Sequence, residues 1–204
     1  MGGRTEQDDF WAGDFGDEYV ERNSGADILA ADIVLFSRIL RKAGRIDSVI
    51  EFGANIGLNL RAIRQLCPTA RLSGVEINEK AVRQLRSLSG VTAFHQSILE
   101  FVPGEAHDLA LVKTVLIHID PVHLPRVYDL LHAAGRRFIC LAEYYNPTPV
   151  EVNYRGHRSR LFKRDFAGDM LDRFSDLALV DYGFVYHRGA FPQDDLNWFL
   201  LERR

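Results

Sequence analysis

Cys67 and Cys140 are the only cysteines in 204 residues. Each lies in a hydrophobic stretch and neither stands at a metal-ligand spacing, so buried reduced thiols are expected and a bound metal is not. Long apolar runs are missing as well: no segment approaches the roughly 18 residues that a membrane span requires. The N-terminus, MGGRTEQDDFW, has no hydrophobic run after a basic start, so neither export nor anchoring is expected and a cytoplasmic location is. There is no excess of positive charge either, since 25 Lys and Arg stand against 28 Asp and Glu for a net charge of −3. A field able to attract nucleic acid is thereby excluded. Internal repeats and low-complexity tracts are absent. What the chain does have is 47% hydrophobic residues, ample for the full core of one domain.

The most informative stretch is Val49 to Leu60, VIEFGANIGLNL, a hydrophobic strand that runs into Glu51, Gly53, Ala54, Asn55 and Gly57 before a helix opens. At Gly53 and Gly57 a Cβ would block a turn with positive φ or the close approach of a ligand, and the helix start presents unpaired N–H groups suited to a carboxylate. A dinucleotide fingerprint would require glycine where Asn55 and Leu58 stand, and a Walker loop would require G-K-[ST] where the chain has Gly57, Leu58 and Asn59. The remaining pattern is acidic-x-Gly-x-Asn-x-Gly, in which Asn55 tolerates left-handed backbone angles. The pattern resembles motif I of class I methyltransferases, acidic-x-Gly-x-Gly-x-Gly, and that resemblance implies a pocket for S-adenosylmethionine. Some 25 residues on, Leu72 to Ile77 reads as a buried strand ending in Glu76, a spacing that fits a βαβ crossover with Ile56 to Leu66 as its helix. At such a strand end a carboxylate can accept hydrogen bonds from ribose hydroxyls.

Alternation of strand and helix continues with helix 79–88, strand 91–94, strand 109–115, helix 124–134 ended by Gly135, and strand 137–143. An amphipathic helix is expected over 163–174, followed by strand-like runs 177–187 and 197–202 that are close enough to pair antiparallel. The expected fold is α/β: a doubly wound, seven-stranded, mostly parallel sheet of Rossmann-like methyltransferase type with an antiparallel C-terminal hairpin. One domain would comprise N-terminal helices or a lid (1–45), a cofactor-binding core (46–143), a substrate-side insertion (144–176) and the hairpin (177–204). In the N-terminal part, helix 28–42 precedes the first strand, and Phe10, Trp11, Phe15 and Tyr19 sit among acidic residues. Trp11 and Tyr19 could close over a bound sulfonium by cation–π contact, or they could simply dock the terminal helix by its aromatic face.

Over 48–143 the chain resembles the S-adenosylmethionine-dependent methyltransferase superfamily. Across nearly its whole length, in TEQDDFWAGDFGDEYVERN, VLIHIDP, EYYNPTPVEVNYRGH, LFKRDFAGDM and DDLNWFLLERR, it resembles the pseudaminic acid biosynthesis-associated methylases. That resemblance implies an enzyme of nonulosonic acid or related surface-glycan pathways. Carried over by position, it implies that Glu51, Gly53, Asn55 and Gly57 hold the methionine end, Glu76 the ribose, and Ile77 the adenine face. Where the family has an acidic residue for the adenine amine, this chain reads His95, Gln96, Ser97, Ile98, so the Ser97 hydroxyl and the Ile98 N–H would serve there.

Methyl transfer is an in-line displacement in which alignment and exclusion of water carry much of the catalysis. Candidate catalytic groups are Glu143, read as facing the cleft from a strand end, His118 in LIHID and Tyr144. His118 could instead fix the loop before Pro121, and Tyr144 and Asn146 could merely end the strand and start the Pro147–Pro149 turn. Lys113, within an apolar strand, must emerge at the cofactor edge or pair with an acidic residue. The cluster Arg155, His157, Arg158, Arg160, Lys163 and Arg164 is the one strong local positive field. It suggests an anionic acceptor bound with the help of Tyr154 and Asn146, unless Asp165, Asp169 and Asp172 neutralise it. The expected reaction is methyl transfer to O or N of a small polar acceptor, such as an amino sugar, nonulosonic acid precursor or nucleotide sugar. The rivals are a noncatalytic S-adenosylmethionine-binding subunit and, less well supported by the glycine spacing, a nicotinamide-dependent oxidoreductase. Homodimerisation is compatible with all of these.

Overall fold

The computed structural model describes residues 4–22, 25–156 and 159–204. Its chain divides into two compact units, Met1–Val102 and Pro103–Arg204.

The first unit begins with α1 (Glu6–Ala12), α2 (Asp14–Arg22) and α3 (Ala26–Ala43), so Phe10, Trp11, Phe15 and Tyr19 are carried on two helices. Thr5 and Asp8 form a reciprocal capping box at the start of α1, which satisfies amides that a seven-residue helix cannot. α3 turns Leu35, Phe36, Ile39 and Leu40 inward and stops at Gly44, whose φ of 67° few other residues would accept. Then follow β1 (Ser48–Phe52), α4 (Leu58–Leu66), β2 (Arg71–Glu76), α5 (Glu79–Arg86) and β3 (Val91–His95). β1 pairs parallel with β2, and β2 with β3, which is why β1 is buried along its whole length and reads as an almost unbroken apolar run. α4 starts at Leu58 and not at Ile56, because Gly57 (φ 81°) adopts the left-handed conformation immediately before it.

The second unit holds β4 (His107–Lys113), two single 3₁₀ turns (Leu116–His118 and Pro121–His123), α6 (Leu124–Ala134) and β5 (Gly135–Glu143). It continues with the short strands β6 (Val150–Glu151) and β7 (Phe162–Lys163), α7 (Phe166–Arg173), β8 (Leu177–Val185) and β9 (Leu196–Arg203). β4 and β5 run parallel, β9 is antiparallel to β5, and β8 is antiparallel to β9 with a register shift between Leu179 and Asp181. β4 ends two residues before the expected Val115, because Thr114 turns left-handed (φ 53°). α7 begins at Phe166 instead of Lys163, where Asp165 caps it by accepting from the Gly168 N–H at 2.8 Å. β6 and β7 form a hairpin of their own, which the sequence reading of 144–176 did not contain.

The seven main strands make one mixed, mostly parallel sheet in the order β3-β2-β1-β4-β5-β9-β8, with the C-terminal antiparallel pair that was expected. Among the described residues no helix is long and apolar enough to cross a membrane.

The corner between α1 and α2 depends on Gly16. A Cβ there would lie 1.9 Å from the Trp11 carbonyl oxygen and 2.8 Å from Nδ2 of Asn78. Gly16→Ala gains up to about 1 kcal/mol of helix propensity but introduces a clash with backbone costing about 1–3 kcal/mol, so the clash wins. The expected outcome is a lower melting temperature and faster tryptic cleavage at Arg22; a variant as stable and as resistant as the wild type would contradict the packing described.

Candidate functional site

Three glutamates, two at strand ends and Glu51 one residue before one, organise what surrounds them. Glu51, fully buried in β1, accepts from the Asn59 side-chain amide at 2.5 Å, which ties the strand to the first turn of α4. Glu76, at the end of β2, is buried and accepts three backbone amides: Asn55 at 2.7 Å on Oε2, and Ile77 and Asn78 at 2.8 and 2.7 Å on Oε1. Burial raises its pKa, and the three amides oppose that shift.

The loop after β1 takes the backbone form that its sequence implies. Gly53 (φ 73°), Asn55 (φ 48°) and Gly57 (φ 81°) are all left-handed. Gly57 is required twice over, since a Cβ would meet Leu88 Cδ1 at 2.6 Å and Leu85 Cδ1 at 2.8 Å. The loop amides differ from expectation: those of Gly53 and Ala54 donate to the Val75 carbonyl, that of Asn55 to Glu76, and that of Gly57 to the Ala54 carbonyl. A ligand carboxylate would therefore meet the first-turn amides of α4, which the helix itself does not use.

Glu76 also differs in capacity. About four lone-pair positions exist on a carboxylate, and three are taken, which leaves one on Oε2 for a ribose hydroxyl; two hydroxyls would require an amide contact to lengthen. Ile77 is half-buried beside it.

The N-terminal helices are fastened to this region. Nδ2 of Asn78 donates to Asp17 at 2.9 Å and to the Trp11 carbonyl at 3.3 Å, while its Oδ1 caps α5. Val20 joins Ile56, Leu58 and Ala81 in one buried cluster. Trp11 packs edge-on against Phe10, Phe15 and Tyr19 with centroids 5.4–5.6 Å apart, so Trp11 and Tyr19 belong to one half-buried aromatic group. Ser97 is buried, and its hydroxyl donates to Asp8 Oδ1 at 2.6 Å while accepting from the Leu99 N–H at 3.1 Å. Its proton is thus committed to Asp8, and one lone pair of its oxygen is left to accept a further hydrogen bond. Ile98, next to it, is half-buried. Asp8 was missed by the sequence reading, although the T-x-x-D capping box around it was legible.

In the second unit, Glu143 is corrected from a cleft-facing to an inward-facing group. It is 3% exposed and accepts the amides of Val115 and Leu116 at 3.0 Å each and of Ile117 at 3.4 Å. These bonds hold the turn that follows Thr114, a β-branched residue in a costly left-handed conformation whose own amide donates to Ala142. Burial pushes the Glu143 pKa up to about 7, against the three amides and the charge of Lys113. Lys113, half-buried at the end of β4, therefore sits within electrostatic reach of an acidic residue.

His118 is buried, and its Nδ1 lies 2.6 Å from the Arg160 carbonyl. A carbonyl only accepts, so Nδ1 carries the proton and Nε2 the lone pair. Burial lowers its pKa to about 4, which makes it neutral and a weak base. Its ring lies 4.9 Å from that of Tyr154, and the Arg155 guanidinium lies 6.0 Å from the same ring. Tyr144 donates to Asp194 at 3.2 Å beneath Lys163 Nζ, and Asn146 bonds Thr148 within its turn.

The basic cluster is partly neutralised. Arg164 pairs with Asp169 at 2.7 Å, and Tyr128 donates to the same carboxylate at 2.8 Å. Arg155 remains exposed, and His157 and Arg158 lie outside the described residues. Among those residues no cluster could hold a metal ion.

No family model matches the chain, and no curated protein sequence does. Solved structures do match in fold. A methyltransferase from Leishmania major, described as S-adenosylmethionine-dependent, superposes with a TM-score of 0.70 over 98% of this chain and 87% of its own at 14% identity. Magnesium protoporphyrin IX methyltransferase from Synechocystis PCC 6803, with bound S-adenosylhomocysteine, gives 0.68 over 96% and 97% at 15% identity. Plantazolicin methyltransferase with the same product gives 0.67 over 97% and 94% at 14% identity. The chain has the fold of S-adenosylmethionine-dependent methyltransferases.

Because its folded pKa lies above the unfolded carboxylate value of about 4.3, Glu143 contributes stability that is present at low pH and lost as pH rises through about 7. Melting temperatures from pH 4.5 to 8.5 should fall more steeply for the wild type than for Glu143→Gln; parallel curves would contradict this.

Proposed function

We propose that this protein is an S-adenosylmethionine-dependent methyltransferase acting on O or N of a small, polar, anionic acceptor, such as an amino sugar, a nonulosonic acid precursor or a nucleotide sugar. The observation that carries the cofactor assignment is the bond from the Asn55 amide to Glu76: a left-handed loop and a buried carboxylate at adjacent strand ends, joined through 2.7 Å. The loop turns left-handed at three positions and leads into the first-turn amides of α4, which the helix itself does not use, and the carboxylate keeps one lone pair for a sugar hydroxyl. The residues present therefore fit the cofactor.

Bound there, the cofactor supplies a sulfonium methyl to a nucleophile aligned behind it. The chain's own part is largely positional. Glu51 and Asn59 fix the start of α4, Glu76 fixes the loop to β2, and the aromatic helices α1 and α2 exclude water from the strand ends. Methylation forms a carbon–oxygen or carbon–nitrogen bond, breaks the sulfur–carbon bond and releases one proton from the acceptor. His118 Nε2 is the assigned relay for that proton to water, since its low pKa lets the proton leave again at once. Glu143 is assigned to hold the Val115–Ile117 turn, and Tyr144, Tyr154, Asn146 and Arg155 to the acceptor. Support for an anionic acceptor comes from exposed Arg155 over Tyr154 and from Lys163 over Tyr144. Support for a sugar acceptor comes from the resemblance of the long strings to the pseudaminic acid-associated methylases. The solved neighbours are named for a porphyrin and for plantazolicin, so the fold leaves the acceptor open.

Titration calorimetry with S-adenosylhomocysteine should give a measurable affinity for the wild type. Glu76→Gln, which replaces one acceptor oxygen by a donor facing backbone N–H groups, should weaken it by roughly 10- to 100-fold. Unchanged affinity would remove Glu76 from the site. Incubation with methyl-labelled S-adenosylmethionine and a panel of nucleotide sugars, free acidic sugars and amines should yield a labelled product by mass spectrometry. Arg155→Ala should then raise the KM for that acceptor several-fold and leave cofactor affinity alone. Tight cofactor binding with no product from any acceptor would favour a noncatalytic subunit.

A further inference from the structure

The cofactor is a linear molecule: an amino-acid tail, then sulfur, then ribose, then purine. If the proposed reading holds, its tail sits at the loop after β1 and its ribose at Glu76, at the end of β2. Covalent connectivity then carries the purine onward to the end of β3, the next strand in the sheet, about 4.8 Å further along. Ser97 lies there, two residues beyond the last residue of β3, and against it lies Asp8 of α1.

We infer that Asp8, brought 89 residues along the chain by the N-terminal helix, is the purine-reading residue of this site and accepts a hydrogen bond from the exocyclic amine of adenine. Asp8 is 9% exposed. Every hydrogen bond to its carboxylate is received: the Thr5 amide and hydroxyl give to Oδ2 at 3.0 Å each, and Ser97 gives to Oδ1 at 2.6 Å. Three of about four lone-pair positions are therefore filled, and the open one is on Oδ1, the oxygen beside Ser97. An acceptor without a donor selects an amine over a keto oxygen at that position. Ser97, whose proton goes to Asp8 and one of whose lone pairs goes to the Leu99 amide, offers only a single lone pair on a neutral oxygen, a weaker acceptor than the charged carboxylate it holds in place. The arrangement also places α1 within the cofactor site, so the purine is read by an element outside the strand-and-helix alternation.

This inference rests on the cofactor reading, and the test separates the two. Calorimetry is performed on the full chain with S-adenosylhomocysteine and with S-inosylhomocysteine, which carries a keto oxygen in place of the amine. The wild type should prefer the adenosyl compound by tenfold or more. In Asp8→Asn the Thr5 amide keeps the new amide oxygen at the Oδ2 position, so the NH₂ group replaces Oδ1. The preference should fall to parity or invert. Thr5→Val removes the cap hydroxyl but leaves Oδ1, and should weaken both ligands alike with the ratio unchanged. If Asp8→Asn lowers the melting temperature but keeps the wild-type ratio, Asp8 is a helix cap only and the inference falls. If the wild type binds neither compound, the cofactor reading falls with it.

Discussion

The site is built around a carboxylate that is costly to bury. Removing Glu76 from water penalises its charge, and the chain offsets that penalty with amides from three residues on two different segments, Asn55 from the loop and Ile77 with Asn78 from the chain leaving β2. Because one carboxylate serves both segments, the loop cannot shift relative to β2 without leaving a buried charge short of a donor. The left-handed angles of Gly53, Asn55 and Gly57 are held by the same constraint. Asn78 then extends it outward, capping α5 with one end of its side chain and gripping α1 and α2 with the other.

The second unit repeats the device. Glu143 ends β5 as Glu76 ends β2, and it too receives three amides, from the turn after Thr114. Both glutamates convert a strand end into an anchor for neighbouring backbone, and in both burial outweighs the amides in shifting the pKa upward. A strand-terminal glutamate in this fold is thus an organiser of loops first. Contact with a ligand is available only through whatever lone pair the backbone leaves.

How much of this could be read from the chain depends on the range of the interaction. The strand-loop-helix of 49–60, the left-handed Asn55, α6 with its residue-for-residue span, and the antiparallel ending follow from local pattern and turn chemistry. Glu143 was misjudged because an acidic residue after an apolar run looks solvent-directed. Nothing in its neighbours announces that the turn 28 residues earlier would point its amides inward. Ser97 was judged by the residue type alone, while its partner lies 89 positions away. Thr114 gave no signal at all, since β-branched residues avoid positive φ and its conformation is imposed by the bonds on either side of it. For the basic cluster, spacing left open whether Asp165, Asp169 and Asp172 neutralise it, and packing decides this for one residue by pairing Arg164 with Asp169.

The register shift in β8 also bears on how the molecule behaves in concentrated solution. β8 is the last strand of the sheet, and it displays Leu179, Tyr182 and Phe184 to solvent, an aromatic, β-prone composition of the kind that recruits further strands. The extra residue between Leu179 and Asp181 breaks the flat repeat of hydrogen-bonding groups that such recruitment would copy, and it does so beside a carboxylate. A single irregular step in the ladder makes this aromatic-rich border a poorer template for an added strand.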